Sequence, residues 1–442
     1  MSLQILFAEH CPISKISSEE NEVGESIKKL VSLEQEKLIT LEGHPKDYET
    51  VPKYLGIEST ENEYVAGYYI GATWLQEKIL SAVVLPKMPD IDFLEMFSEA
   101  LEVNSEKESS YFSNYYGFEF SQPEIEVEAS FNILTPLILL HYISVLKNLT
   151  KQGLKKGYVY REKNLQSKIK GHLLFQSHFR KNVINHREDR NYCGFQEYTE
   201  DIPENRLLKK ALVFTNLAIK NYASLTKQSI YEAITLSINK LLSVFVNVSD
   251  EIEIFEVKTM KNNKLFATYK EAIQLAKTIL RKFDYSLQNT ETEEKKTVPF
   301  WIDMPRLYEL YVYSKLKKCY GDNVEFQVKG HYGTSADYIL KGQNIILDAK
   351  YKPQYENSNS GILDDIREMS GYARDTLILS HFINPALEVP CVIIYPEKID
   401  DETDSFKESY LTNNMDIVNN ATKIKAFRNF YKFKIEVPRL RL

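Results

Sequence analysis

The residues best suited to chemistry lie in one short stretch that ends with Asp348, Ala349 and Lys350. Residues 345–347 form an apolar run typical of a buried strand, and residues two apart in a strand point to the same face. Asp348 and Lys350 should therefore project together. The polar turn before this strand predicts a hairpin that brings Asp337 beside Asp348. The sequence thus predicts two carboxylates and one ammonium at one spot.

Such a group is suited to phosphodiester hydrolysis. Mg²⁺ is commonly held by one or two carboxylates, and it neutralises charge at phosphorus and activates a water. We therefore predict Asp337 and Asp348 as metal ligands, with Lys350 orienting or helping to deprotonate the water. An Asp–Lys pair on a surface hairpin is also common, so these residues alone leave both interpretations open.

Two further elements carry candidate residues. Glu309 lies in a mainly apolar helical stretch, where a carboxylate is costly to bury unless it is paired or bound to a cation. It is either a third acid at the metal or an ordinary surface glutamate. Asp365, Glu368 and Tyr372 follow one another at three- and four-residue steps, which places them on one helical face. That face borders the site or meets solvent.

The chain is long enough for several domains, and its 442 residues, 43% hydrophobic and 26% charged, are typical of a soluble globular protein. We predict an α+β multidomain fold with a mixed α/β region at 1–122, a mainly helical middle region at 123–296 and an α/β core at 297–442. Short strands are predicted in the middle region at 158–160, 173–175 and 195–199. The core elements are predicted as helix 304–320, strands 325–328, 336–340 and 345–350, helix 360–380, and strands 389–395 and 430–437.

Charge and cysteine usage narrow the classes of partner and compartment. The net charge of −7 argues against nonspecific coating of nucleic acid, yet residues 151–190 hold eleven Lys or Arg against three Asp or Glu. This basic stretch is either a local DNA-binding surface or a solvated face. The four cysteines form no CxxC pair, the N-terminus does not resemble a signal peptide, and the apolar stretch 133–146 is too short to span a bilayer. These features favour a cytoplasmic protein without a membrane partner.

The spacing of the two acids and the Asp-x-Lys ending resemble the PD-(D/E)xK nuclease superfamily, although Ala336 replaces its proline. Since that proline is not a ligand, the chemistry is retained. A more specific resemblance, to the McrC family of restriction nuclease subunits, extends over most of the chain. The segments that carry it are 84–87, 153–158, 169–171, 197–209, 301–309, 348–352 and 393–396, with Asp337, Met369 and Tyr372.

The McrC resemblance implies specific roles for the candidate residues. Asp337 and Asp348 match the metal-binding acids, Lys350 matches the catalytic lysine, and Glu309 matches a helical glutamate. The family often has glutamine where this chain has Glu368. An acid there either adds a metal contact or keeps the helix farther from DNA, because a carboxylate repels phosphate.

The resemblance also implies a partner. The chain has no G-x-x-x-x-G-K-[ST] phosphate-binding loop, so we do not expect it to bind nucleotide. In McrBC-type systems, which act in phage defence, a separate McrB-like AAA+ GTPase binds GTP, and the McrC-like subunit docks on it through its N-terminal part, stimulates it and cuts double-stranded DNA. A stand-alone repair or transposition nuclease and a noncatalytic regulator of a ring NTPase are the alternatives. The intact set of Asp337, Asp348 and Lys350 speaks against the regulator.

Overall fold

The structure of the chain is a computed structural model, and each statement below concerns the residues that it describes. These are 3–9, 57–59, 64–88, 90–102, 115–119, 122–127, 134–151, 153–224, 226–257, 267–288, 295–356, 361–383, 388–397 and 416–439. Residues group into two compact units, one formed by 1–134 with 294–442 and the other by 135–293. No helix in these ranges is long and apolar enough to cross a bilayer.

The strands are numbered in chain order. They are β1 (Leu3–Ala8), β2 (Glu58–Ser59), β3 (Tyr64–Val65), β4 (Tyr69–Gln76), β5 (Leu80–Leu85), β6 (Tyr116–Phe118), β7 (Ile125–Val127), β8 (Gly157–Gln166), β9 (His172–Leu173), β10 (Arg190–Thr199), β11 (Lys295–Thr297), β12 (Phe300–Asp303), β13 (Val324–Lys329), β14 (Ser335–Leu340), β15 (Ile345–Ala349), β16 (Cys391–Pro396), β17 (Thr422–Lys423) and β18 (Phe430–Ile435). The α-helices are Phe93–Glu102, Leu134–Lys151, Phe175–His178, Pro203–Lys220, Gln228–Val244, Ala267–Gln288, Met304–Tyr320, Ile362–Tyr372, Thr376–Leu379 and Ile417–Asn420.

One five-stranded sheet joins the beginning of the chain to its last third. Its strand order is β1-β5-β4-β12-β6, so β12 lies between two strands that precede it by more than 180 residues. The helix Phe93–Glu102 also packs on the helix Met304–Tyr320, where the Ser314 hydroxyl donates to Glu99 at 2.8 Å. The segments predicted as separate domains at 1–122 and 297–442 therefore share one sheet, because β12 takes its hydrogen-bond partners from β4 and β6.

The second large sheet of this unit has the order β13-β14-β15-β16-β18-β17. Its elements follow the predicted order of helix, three strands, helix and strand, and the hairpin of β14 and β15 is confirmed. β18 overlaps the predicted strand 430–437 and pairs with β16 in this sheet. The predicted helix 360–380 is instead two helices. The first ends at Tyr372, and Asp375 caps the start of the second by accepting a hydrogen bond from the Leu377 amide at 2.8 Å. Apolar side chains from these strands and from Ile362–Tyr372 form one buried core.

The unit formed by residues 135–293 contains several helices and a small antiparallel sheet of order β8-β10-β9. The strand predicted at 173–175 is wrong beyond Leu173, because Phe175 already begins the helix Phe175–His178. The strands predicted at 158–160 and 195–199 exist, but β8 and β10 are each ten residues long and pair along their whole length. Tertiary pairing therefore extends strands whose local sequence shows only short β-rich runs. The basic stretch 151–190 lies largely in β8 and in the connections to β9 and β10.

Candidate active site

The two candidate metal-binding acids lie side by side on neighbouring strands. β14 and β15 pair Tyr338 with Leu347, so Asp337 and Asp348 occupy the next positions along this register. The Ala349 amide donates to Asp337 Oδ2 at 2.9 Å, which fixes that carboxylate against β15. Asp348 is 1% exposed. The predicted convergence of these two acids is present in the structure.

Burial makes these two carboxylates unusual acids. Burial, followed by the nearby charge of Glu309, raises the pKa of Asp337 to about 8. Burial likewise raises the pKa of Asp348 well above its ordinary value, despite the opposing effect of Lys350. Two buried negative charges are costly unless a cation compensates them. A cation bound between Asp337 and Asp348 would therefore stabilise their ionised forms.

Lys350 links the acid pair to the helix Ile362–Tyr372. Its Nζ lies 2.9 Å from Asp348 Oδ2 and donates to Glu368 Oε2, also at 2.9 Å. Burial disfavours the charged form of Lys350, but Asp348, Asp337 and Glu368 outweigh this and hold its pKa well above the ordinary value. In this arrangement the side chain is an ammonium. It is therefore suited to orienting groups and stabilising negative charge rather than to removing a proton.

The three residues predicted to share one helical face, Asp365, Glu368 and Tyr372, have different partners. The Tyr372 hydroxyl donates to Glu368 Oε1 at 2.7 Å, so these two residues form the wall of the site beside Lys350. Partial burial raises the pKa of Glu368, but Lys350 and Tyr372 lower it below its ordinary value. Asp365 instead accepts two hydrogen bonds from Lys352 Nζ, each 2.9 Å long. Asp365 therefore fixes Lys352, two residues after Lys350, to the helix Ile362–Tyr372.

Gln327, which no sequence pattern indicated, links Glu309 to Asp337. The helix of Glu309, Met304–Tyr320, is capped by Asp303, whose side chain accepts a hydrogen bond from the Arg306 amide at 3.2 Å. Gln327 Nε2 lies 3.4 Å from Glu309 Oε2 and 3.2 Å from Asp337 Oδ1. A glutamine in a strand is ordinarily a surface residue, so no local signal marked Gln327 as part of the site.

The carboxylates suit a magnesium ion. Among the described residues, no group of three or more His, Cys, Asp or Glu side chains is arranged to hold a metal ion. Mg²⁺ nevertheless commonly uses only one or two protein carboxylates and completes its shell with water and phosphate oxygens. Asp337 and Asp348, both buried and both with a raised pKa, fit that donor set. Glu309, predicted as a third ligand, is connected to them through Gln327.

An ion pair between Lys87 and the buried Glu9, which follow β5 and β1, contacts Tyr351, the residue after Lys350. Lys87, in the matched segment 84–87, lies with its Nζ 3.3 Å from Glu9 Oε1 and 4.9 Å above the Tyr351 ring. Burial raises the pKa of Glu9 to about 7, against the lowering effect of Lys87. The segment 84–87 thus helps to hold the end of β15 in place.

The matched segment 197–209 lies in the other unit and has a structural role there. Asp201 accepts hydrogen bonds from Arg161 Nη2 at 2.7 Å and from Arg206 Nε at 2.7 Å and Nη2 at 2.6 Å. It also accepts from the Ser249 amide at 3.0 Å. The carboxylate therefore ties β8, the start of the helix Pro203–Lys220 and the 249 region together.

Comparisons with known proteins show the family of the chain. The family model described as "McrBC 5-methylcytosine restriction system component" matches residues 109–373. No curated protein matches the chain. A chain of the Thermococcus gammatolerans assembly of McrB AAA+ hexamers with bound McrC is 15% identical, with a TM-score of 0.38 and coverage of 98% of this chain and 94% of that chain. The cryo-EM structure of the Thermococcus gammatolerans McrBC complex gives 15% identity, a TM-score of 0.28 and coverage of 71% and 87%. Because the family match spans more than half of the chain, this protein belongs to the McrBC 5-methylcytosine restriction system component family.

Proposed function

We propose that this protein is the DNA-cleaving, McrC-like subunit of a cytoplasmic McrBC-type restriction complex. It is a Mg²⁺-dependent endodeoxyribonuclease that binds and stimulates an McrB-like AAA+ GTPase, on which GTP is bound. The observation that carries the proposal is the buried pair of Asp337 and Asp348 with Lys350 within 2.9 Å of Asp348. Family membership and the solved assemblies of McrB hexamers with bound McrC support the choice of partner.

Each residue has a part in phosphodiester hydrolysis. Asp337 and Asp348 would hold Mg²⁺, which when bound neutralises charge at the phosphate and activates a water. The Lys350 ammonium stabilises the negative charge that develops on the phosphoryl oxygens. Glu368 and Tyr372 hold Lys350 in place, and Gln327 holds Glu309 near Asp337.

The function is tested by plasmid cleavage with the purified chain and its McrB-like partner. Supercoiled plasmid, with and without methylated cytosine, is incubated with Mg²⁺ and GTP, and linear product and phosphate release are measured. We expect cleavage only when both proteins, GTP and Mg²⁺ are present, and faster GTP hydrolysis when this chain is added. Excess EDTA should stop cleavage.

Two outcomes of that experiment would contradict the proposal. Cleavage at the full rate without partner and GTP would indicate a stand-alone nuclease. Faster GTP hydrolysis without any cleavage of either plasmid would indicate a noncatalytic regulator. Both plasmids are used because a chain that cleaves only one of them is still a nuclease, whereas a chain that cleaves neither shows no nuclease activity.

Replacement of Glu368 tests how Lys350 is held. We expect Glu368→Ala to slow cleavage roughly ten- to a hundredfold, the usual cost of removing a supporting partner of an active-site group. Glu368→Gln keeps an acceptor for Lys350 and should remain within roughly threefold of the wild-type rate. Initial cleavage rates at saturating Mg²⁺ provide the measurement. Asp364→Ala, on the exposed side of the same helix, is the matched control. Wild-type rates for Glu368→Ala would show that this contact has no part in the reaction.

A further inference from the structure

Gln327 has an unusual backbone for a residue within a strand. Its φ is +51°, in the left-handed region that non-glycine residues rarely adopt. On either side of it β13 pairs regularly with β14, Phe326 opposite Tyr338 and Val328 opposite Ala336, but the pair between them is missing. The residue opposite Gln327 in this register is Asp337. The ladder is therefore interrupted only at the position that faces a candidate metal-binding acid.

The side chain of Gln327 uses both ends of its amide. Nε2 donates to Asp337 Oδ1 at 3.2 Å and to Glu309 Oε2 at 3.4 Å. Oε1 accepts a hydrogen bond from the Ser335 hydroxyl at 2.9 Å. Because the Ser335 bond engages the amide oxygen, the NH₂ group faces the two acids. A strained backbone and a matched set of partners at one residue together indicate a specific task.

The charges of Glu309 and Asp337 indicate what the Gln327 side chain does. Glu309 comes from the helix Met304–Tyr320 and Asp337 from β14, and their like charges repel one another. A neutral amide between them supplies hydrogen-bond donors without neutralising either acid. A lysine or arginine at this position would instead compete with a cation. The second anchor of this helix, the Tyr338 hydroxyl bound to the Glu309 carbonyl at 2.7 Å, fixes the backbone but not the carboxylate.

We propose that Gln327 is a positioning residue that holds the Glu309 carboxylate beside Asp337 and thereby sets how readily the site takes up a divalent cation. The inference rests on the proposed function and adds to it a residue that governs metal uptake. Gln327 itself does not touch the reacting atoms. Its removal should weaken metal binding and leave the rate at saturating metal almost unchanged.

The test compares Gln327→Met and Gln327→Gly with the wild-type chain. Methionine keeps the side-chain length and the backbone strain but has no amide, whereas glycine adopts a positive φ freely and so removes the amide without strain. Mn²⁺ binding is measured by calorimetry without DNA, and cleavage by the chain with its partner and GTP is measured across a Mg²⁺ titration. Gln196→Met, at an exposed position in β10, is the matched control.

We expect both variants to raise the Mn²⁺ dissociation constant and the half-saturating Mg²⁺ concentration roughly tenfold, with the rate at saturating Mg²⁺ within roughly threefold of wild type. Ser335→Ala should shift both quantities in the same direction by a smaller factor, because the amide keeps its contacts with the acids but loses its orientation. Gln196→Met should change neither.

Unchanged Mn²⁺ binding in both variants, while the wild-type chain binds Mn²⁺ and cleaves DNA, would overturn the inference and leave the proposed function intact. A lower rate at saturating Mg²⁺ with unchanged metal dependence would also overturn it. A wild-type chain that neither binds Mn²⁺ nor cleaves DNA would overturn the proposed function together with the inference.

Discussion

Asp348→Asn and Lys350→Met should each reduce DNA cleavage by at least about a thousandfold. Asp348 loses the charge needed to hold Mg²⁺, and Lys350 loses the ammonium that lies 2.9 Å from Asp348 and Glu368. Plasmid linearisation by the chain with its partner, GTP and Mg²⁺ measures the loss. Assembly with the partner and its GTP turnover should be unchanged, because neither substitution alters an exposed surface.

Thermal unfolding separates loss of chemistry from loss of fold. Without metal, Asp348→Asn should unfold at the same temperature as wild type or higher, since it removes one of two buried acids that repel each other. Asp364→Asn and Lys423→Met change exposed residues of the same types and serve as controls. If both Asp348→Asn and Lys350→Met cleave at the wild-type rate, the site assignment is wrong.

Asp201→Asn should lower the free energy of unfolding of the 135–293 unit by about 2–4 kcal/mol. The carboxylate accepts three hydrogen bonds from Arg161 and Arg206 and one from the Ser249 amide. An asparagine has no charge to balance the two guanidinium groups and turns an NH₂ donor towards one of them. Denaturant unfolding of the full chain gives the free energy, and hydrogen exchange of β10 amides localises the change to this unit.

The pH dependence gives an independent check on Asp201. The hydrogen bonds from Arg206, followed by those from Ser249 and Arg161, hold its pKa below the ordinary value. A folded-state pKa below the unfolded one contributes stability above the unfolded pKa, and this contribution is lost as the pH falls through the folded pKa. Stability of Asp201→Asn should therefore decline less steeply under acid than that of wild type. Asp250→Asn, at an exposed site, should behave as wild type; the same behaviour in Asp201→Asn would contradict the prediction.

The hairpin of β14 and β15 is predictable from sequence because its determinants are local. An apolar run with period-two geometry and a polar turn suffice to place Asp337, Asp348 and Lys350 together, and the register of β14 with β15 confirms this. The i, i+4 spacing also predicts that Glu368 and Tyr372 share a helical face, which the 2.7 Å hydrogen bond confirms. The roles of all five residues in metal binding and catalysis stay predictions.

Other features depend on residues that are distant in the chain. The insertion of β12 between β4 and β6 pairs segments more than 180 residues apart, and no local pattern specifies that partner. The extension of β8 and β10 to ten residues likewise follows from mutual pairing. Local sequence therefore predicted the hairpin of β14 and β15 but not these pairings between distant segments.

The sequence by itself determined the three residues of the candidate site, because side-chain type and short-range periodicity carry that information. The family followed from the resemblance of its motifs to known relatives, and the family match over residues 109–373 shows it. Only the tertiary structure showed that Glu368 contacts Lys350, that Asp365 holds Lys352 instead, and that Gln327 joins Glu309 to Asp337. Each of these contacts needs two elements in a fixed relative position, and at Gln327 a left-handed backbone as well. Packing between elements, rather than the preference of any one of them, sets those positions.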